Sequence, residues 1–423
     1  MSSEIFIRVT RHALRVMILI ILFFLFSVAV IGEERYSSVQ IRVELADNLS
    51  EVPFSIEKGV IIDTFTEDIV FFVKSGENYR LKKDNKWCLS WKNGKEILKG
   101  RNLIVATDDP DKYIMFGDKK YRGKLVFLSD SYGKIRVINE LPLEEYLCGV
   151  VPRELYSEKI EAMKAQAVIA RTYAMANLGK HRDEGFDLCS GDHCQIYGGL
   201  EWEKPLSNEA VWDTAGVILS YKGKLASQIV YHSTCGGHTE NNENVFLTKP
   251  VEYLRGVPCY AELFPGKEKL FFCAMSPYFH WNVSWDKKEL YKIIKDYISS
   301  RYPSCEIGNI KEIFILERGI SGRCRVLLID GIKKDFKLDG DEIRRLLKYK
   351  NEHGKYVSLR STNFFLTEKG NSFEATGRGW GHGCGLCQWG ACGMAYLGAG
   401  YEDILHHYFQ GIDIDTNYGQ KNK

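Results

Sequence analysis

The chain has 423 residues and a formal net charge of +2, a balance that gives no reason to expect nucleic acid or another polyanion as a partner. Its 45% hydrophobic and 26% charged residues are globular values, and the length suffices for two packed units or for one large unit carrying an insertion.

Residues 1–15 contain Arg8, Arg11 and Arg15 and precede an almost unbroken apolar run from Val16 to Ile31. At the rise of a helix this run is slightly short for a hydrocarbon core of about 30 Å, so a cleaved signal peptide and an uncleaved transmembrane anchor both fit residues 16–32. Ser27-Val28-Ala29 offers small residues for cleavage. Under either reading the basic segment stays in the cytoplasm, and everything after about Glu33 is expected outside it, with the membrane contacted through the amino-terminal segment. The 12 cysteines suit that compartment, where disulfides persist. Cys88, Cys148, Cys305 and Cys324 stand apart and read as small buried hydrophobes.

Residues 33–139 form a β-rich region in which runs such as Ile41–Leu45 and Ile69–Val73 alternate with Gly, Asn and Asp. Leu125–Leu128 and Ile135–Ile138 flank the turn residues Asp130-Ser131-Tyr132-Gly133 and predict a hairpin. Residues 140–248 are read as a mixed core. It opens with a short helix from Leu143 to Cys148 that Pro152 keeps from continuing through Gly149 and Val151. A long helix follows from Ser157 to Leu178, with Ser157 as cap, Glu158 and Glu161 in the first turn and Gly179 closing its end. Ile160, Met163, Ala167, Ala170, Ala174 and Leu178 lie on one stripe of it, and its alanines let a neighbour approach closely, so this helix is expected at the centre.

Strands are expected at Val217–Tyr221 and Gln228–Tyr231. Residues 249–367 read as an α+β insertion, with helices at Lys287–Ser300 and Asp339–Leu347 and strands at Ile313–Leu316 and Arg325–Ile329. Residues 368–423 hold a Gly-rich motif and a final helix, Tyr401–Tyr408, that complete the core. The expected class is α+β: a β-rich amino-terminal region, a mixed core around a central Ala-rich helix, and an α+β insertion before a Gly-rich carboxy-terminal motif.

Four stretches carry chemistry: Leu141–Leu147 running on to Val151-Pro152-Arg153-Glu154; Lys164-Ala165-Gln166-Ala167 to Arg171-Thr172-Tyr173-Ala174; Cys189 to Tyr197; and Gly377-Arg378-Gly379-Trp380-Gly381-His382-Gly383. In order and spacing the set resembles the SpoIID/LytB family, and Tyr121-Arg122-Gly123, Tyr231-His232-Ser233 with Gly236-Gly237, and Gln388-Trp389-Gly390-Ala391 extend the match. The resemblance implies a lytic transglycosylase acting on peptidoglycan glycan strands, with Glu154 as the catalytic acid. It also implies contacts to the strand from Arg153, Lys164, Gln166, Arg171, Tyr173, Gln195, Tyr197, His232, Ser233, His382 and Gln388. The LytB name implies a rival role, a non-catalytic glycan binder that enhances a cell-wall amidase.

The chemistry is consistent with the first role. A glycosidic bond is cleaved by a carboxyl group that stays protonated near neutral pH, and a transglycosylase needs no second carboxylate because the sugar's own 6-hydroxyl closes on the anomeric carbon. Glu154 sits just before a helix start, whose dipole lowers a carboxyl pKa, so its apolar neighbours Val151, Leu155 and Tyr156 have to outweigh it. Glu144, Glu145, Glu158 and Glu161 are the local alternatives. The 23 Tyr and 8 Trp would also suit stacking on sugar faces, although most are expected in the core.

Cys189, His193 and Cys194 group thiolate and imidazole donors at a short spacing that suits tetrahedral zinc, with His181 as the fourth candidate; the resemblance implies a structural zinc there, although the Cys spacing differs from that of the family's zinc-binding members. A Cys189–Cys194 disulfide is the alternative. Cys387, where the commoner family form differs, is open to the metal site or to a disulfide. An amidase or peptidase using a zinc-bound water would need an open coordination position, and a Ser233/His232 nucleophile pair lacks a partner carboxylate at helpful spacing.

Overall fold

The structure is a computed structural model that describes residues 39–416 apart from 101, 108, 110, 111, 265 and 267. The basic and apolar segments expected at residues 1–15 and 16–32 lie outside the described residues. Among the described residues no helix is long and apolar enough to cross a membrane.

The fold is α+β, and its amino-terminal part is almost all strand. Strands run in a seven-membered sheet ordered Leu188–Cys189, Gln40–Leu49, Ile135–Pro142, Lys124–Ser129, Leu103–Ala106, Gly59–Asp63, Ile69–Val73. A six-stranded sheet lies beside it in sequence, centred on Val52–Ile56 and Asn78–Lys83. Period-two alternation is what makes these segments strands: Ile41 and Val43, Tyr79 and Leu81, and Trp87 and Leu89 are fully buried, while the residues between them are not. The expected hairpin is present, with Lys124–Ser129 antiparallel to Ile135–Pro142. Asp130 Oδ1 closes its turn by accepting the N–H groups of Tyr132 and Lys134 at 2.8 and 2.9 Å.

The long helix spans Ile160–Ala176 rather than Ser157–Leu178. Ser157 stays outside and folds the approach by accepting the Lys159 N–H at 3.1 Å. The single apolar stripe gives way to burial on all sides, including Gln166, Arg171 and Thr172, because the helix runs through the middle of the molecule; Leu178 ends up exposed.

The short helix departs further from expectation. It extends from Leu143 to Glu154 with Pro152 inside it. A proline so near the end removes one backbone bond, and the Leu155 N–H to Val151 carbonyl bond at 2.9 Å still closes the last turn. The Gly149 carbonyl is taken by the Gly198 N–H at 3.1 Å. Gly149 is what permits this approach, since a Cβ there would lie 2.6 Å from the Tyr197 ring. Gly149→Ala is therefore expected to lower stability by about 1–3 kcal/mol through overpacking, read as a fall in the thermal midpoint. An unchanged midpoint would show that the 197–199 segment is not held against this helix.

Of the strand expected at Gln228–Tyr231, only Tyr231–His232 forms, paired in parallel with Leu386–Cys387. The final helix is Tyr401–Tyr408, as expected. Apolar side chains from Tyr253 to Phe279 pack in the main core, whereas those from Trp281 to Ala375 form a second cluster under the Lys287–Arg301 helix. Asp286 caps that helix by accepting from Lys288 and Glu289.

Candidate active site

Glu154 is the last residue of the Leu143–Glu154 helix, and the next helix, whose electropositive end is expected beside it, starts only at Ile160. It therefore sits at the negative pole of a helix dipole, which disfavours the carboxylate and removes the conflict expected from the sequence. The carboxyl is partly enclosed, and Oε1 accepts the Ile196 N–H at 3.2 Å. The Tyr231 hydroxyl stands beside it. Burial raises its pKa above the usual carboxylate range; the Ile196 N–H, the Tyr231 hydroxyl and the Arg153 charge pull it only part of the way back. Arg153 does not lock onto it: its guanidinium lies 3.9 Å from the centre of the Trp202 ring.

The surrounding amides hold this carboxyl's backbone and partner. Gln388 Nε2 donates to the Glu154 carbonyl at 2.9 Å and reaches Gln166 Oε1 at 3.5 Å. Gln195, fully buried, takes the Tyr146 hydroxyl at 3.3 Å, donates to the Ala170 carbonyl at 3.4 Å and stands beside Tyr231. Tyr231 is thus a site residue that the sequence placed only in a motif; its role comes from a fold contact across 77 positions and leaves no local signal.

Several expected strand contacts are spent inside the protein instead. Arg171 is 1% exposed, donates to Glu144 from Nε at 2.9 Å, and reaches the carbonyls of Val211 and Val217 at 3.1 Å. Tyr197 is buried, with its hydroxyl on Asn139 Oδ1 at 2.8 Å. Lys164 is held by Asp213 at 3.0 Å and Glu161 at 3.2 Å. Lys164 and Arg171 lie on the enclosed long helix, so their charged ends are satisfied by protein groups, and Tyr197 is held in the same way from the loop that follows the Cys/His cluster. The alternative carboxylates are also engaged: Glu144 with Arg171, Glu161 with Lys164, Glu145 beside Arg122 and Glu203, and Glu158 near the Tyr396 hydroxyl.

His181, Cys189, His193 and Cys194 converge so that one ligand atom from each lies within 4.8 Å of the others. Cys189 Sγ and Cys194 Sγ are each 3.6 Å from His193 Nδ1, and Cys194 Sγ is 3.6 Å from His181 Nε2. Those separations match the edges of a tetrahedron around an ion with metal–sulfur and metal–nitrogen bonds of about 2.3 and 2.0 Å. Glu184 Oε1, 3.2 Å from His181 Nδ1, fixes the tautomer that turns Nε2 toward the sulfurs. Lys180 and Tyr173 stand beside Cys194. The loop from this cluster is closed by the Tyr197 N–H on the Ser190 carbonyl at 3.1 Å, and it presents the Ile196 N–H to Glu154. Cys387 does not join this cluster; it lies in a separate group of four cysteines.

The Gly-rich segment supports the strand that carries Tyr231. His382 donates from Nε2 to the Tyr231 carbonyl at 2.8 Å and accepts the Cys384 N–H on Nδ1 at 3.1 Å, which is the bonding of a neutral ring. His232 is buried, with Nδ1 on the Cys384 carbonyl at 3.0 Å. Ser233 is partly buried, 3.4 Å from the Thr234 hydroxyl. Both histidines hold backbone, and His232 Nε2 is buried with no hydrogen-bond partner among the described residues. Burial lowers the pKa of His382 from 6.5 to about 4, and that of His232 well below its usual value. The unfolded chain binds these protons first, so stability is full above about pH 6.5 and falls as pH drops toward 4. For His382 the loss between pH 7 and 5 is on the order of 1–2 kcal/mol, to be read from urea midpoints, and His382→Gln is expected to flatten that slope.

The profile of the SpoIID family, described as Stage II sporulation protein, matches residues 131–221, and DUF8618, a domain of unknown function, matches residues 267–385. Stage II sporulation protein D of Bacillus amyloliquefaciens is 31% identical over 304 residues, 66% of this chain and 75% of that protein. The chain belongs to the SpoIID/LytB family. Among other SpoIID/LytB relatives, an uncharacterized protein of Brachyspira hyodysenteriae is 33% identical over 72% of this chain and 74% of its own length. The amidase enhancer of Bacillus subtilis is 26% identical over 82% of this chain, which spans about half of that longer protein.

Proposed function

We propose that this chain is a peptidoglycan lytic transglycosylase, working outside the cytoplasm, with Glu154 as acid and then base. Membership in the SpoIID/LytB family gives it a cell-wall-related role. The observation that carries the enzymatic reading is the environment of Glu154: a carboxyl raised by burial, held by the Ile196 N–H with the Tyr231 hydroxyl beside it, and paired with no cation among the described residues.

In the proposed reaction the Glu154 proton passes to the glycosidic oxygen as its bond to the anomeric carbon breaks. The 6-hydroxyl of the same muramic residue then bonds to that carbon and returns its proton to the Glu154 carboxylate. No water is consumed, which agrees with the engagement of the neighbouring carboxylates elsewhere. The exposed rings of Trp202 and Tyr156, beside Arg153 and Glu154, offer faces on which sugars can stack.

His181, Cys189, His193 and Cys194 would hold a structural zinc, which supplies a rigid cross-link and no open position for water. Its part is to fix the loop that delivers the Ile196 N–H. The second reading, a glycan-binding amidase enhancer, is favoured by the relative of that name. The two separate on glycan strands stripped of stem peptides: the enzyme leaves 1,6-anhydro-muramic ends detectable by mass spectrometry. An enhancer binds the strands without shortening them and raises the rate of an added amidase.

A further inference from the structure

We propose that Cys235, Cys259, Cys273 and Cys387 bind one tetrahedral zinc ion, forming a second metal centre separate from the His181 cluster. The four sulfurs all lie within 4.8 Å of one another, and all four residues are fully buried. Cys235 Sγ and Cys273 Sγ are 3.6 Å apart. A disulfide needs about 2.05 Å, whereas two thiolates on one zinc at about 2.3 Å are separated by a tetrahedral edge of about 3.8 Å. Four mutually close sulfurs describe the corners around one centre rather than two bonded pairs.

The surroundings are those of thiolates. Backbone N–H groups point at sulfur: Gly237 to Cys235 at 3.3 Å, and both Cys235 and Gly390 to Cys387, at 3.2 and 3.3 Å. The buried Tyr408 hydroxyl lies 3.2 Å from Cys259 Sγ. Gly390 has to be glycine, because a Cβ there would come within 2.7 Å of Cys259 Sγ. Arg323, 2% exposed, donates to the Cys235 carbonyl at 2.8 Å, and its Nε has no hydrogen-bond partner among the described residues. A zinc with four thiolates carries a net charge of two minus, and a buried guanidinium alongside it offsets part of that charge.

The placement gives the ion a structural task. Cys387 immediately precedes Gln388, which holds the Glu154 carbonyl, and Cys235 follows Tyr231 by four residues. One ion would clamp both supports of Glu154, and it would tie residues 259 and 273 to the Gly-rich segment. Nothing in this inference depends on whether Glu154 cleaves glycan.

The test measures zinc per chain by elemental mass spectrometry on protein purified without chelator or reductant. Cys189→Ser/Cys194→Ser removes the other candidate site, and this variant is expected to retain one zinc per chain. Adding Cys259→Ser/Cys273→Ser is expected to remove it. Because that variant can fail to fold, the intact mass of the first variant, denatured without reductant, gives a second reading. The expected mass is that of the fully reduced chain; a mass lower by four hydrogens would mean two disulfides and would overturn the proposal. Zinc-free folded protein, or iron in place of zinc, would also overturn it.

Discussion

Glu154→Gln is expected to lower the turnover of strand cleavage by about a hundred- to ten-thousand-fold, the range that a positioned general acid supplies. The amide has the size of the carboxyl and can still accept the Ile196 N–H, so binding to glycan should persist while anhydro ends disappear. The stability change has the opposite sign. Because the folded-state pKa lies above the unfolded one, ionisation of Glu154 opposes folding at pH 7, and this penalty vanishes as pH falls below the unfolded value. Glu154→Gln should thus match or exceed the parent in thermal midpoint at pH 7. A variant that loses activity together with stability would mean that the carboxyl is structural.

Arg171→Leu is expected to cost about 3–5 kcal/mol, because it leaves the Glu144 carboxylate enclosed with its cation gone. The Val217 carbonyl loses the Arg171 donor in the same step, the Val211 carbonyl keeps just the Thr214 hydroxyl at 3.3 Å, and among the described residues the Gly216 N–H, at 3.1 Å, remains on Glu144. Urea unfolding should show the loss, whereas glycan affinity of the protein that stays folded should not change. Weaker binding with an unchanged midpoint would return Arg171 to the strand-contacting role that family resemblance implies.

The case of Arg171 shows where the sequence stops being legible. A charged residue on a helix reads as solvent- or ligand-facing, and the partner that buries it lies 27 positions away on another helix. Local chemistry was readable wherever local bonds decide the outcome. The Asp130 turn closes its own hairpin, and the helix from Tyr401 to Tyr408 and the Asp286-capped helix carry their patterns within a few residues. Pro152 misled because its one missing bond is outweighed by a tertiary contact, the Gly198 N–H on Gly149. The Cys/His donors between 181 and 194 are close in sequence and could be grouped on sight. Cys235, Cys259, Cys273 and Cys387 are separated by loops and a whole α+β unit, so only the folded chain brings them together. Tyr231 escaped for the same reason.

In the proposed reaction Glu154 cleaves the glycosidic bond by handing over and taking back one proton without water. Carrying out the reaction on stripped glycan strands in water enriched with oxygen-18, and weighing the new ends, tests it most directly. The expected products are anhydro ends that carry none of the heavy isotope and that are lost with Glu154→Gln. Reducing ends labelled with oxygen-18, or unlabelled anhydro ends that persist in that variant, would contradict it.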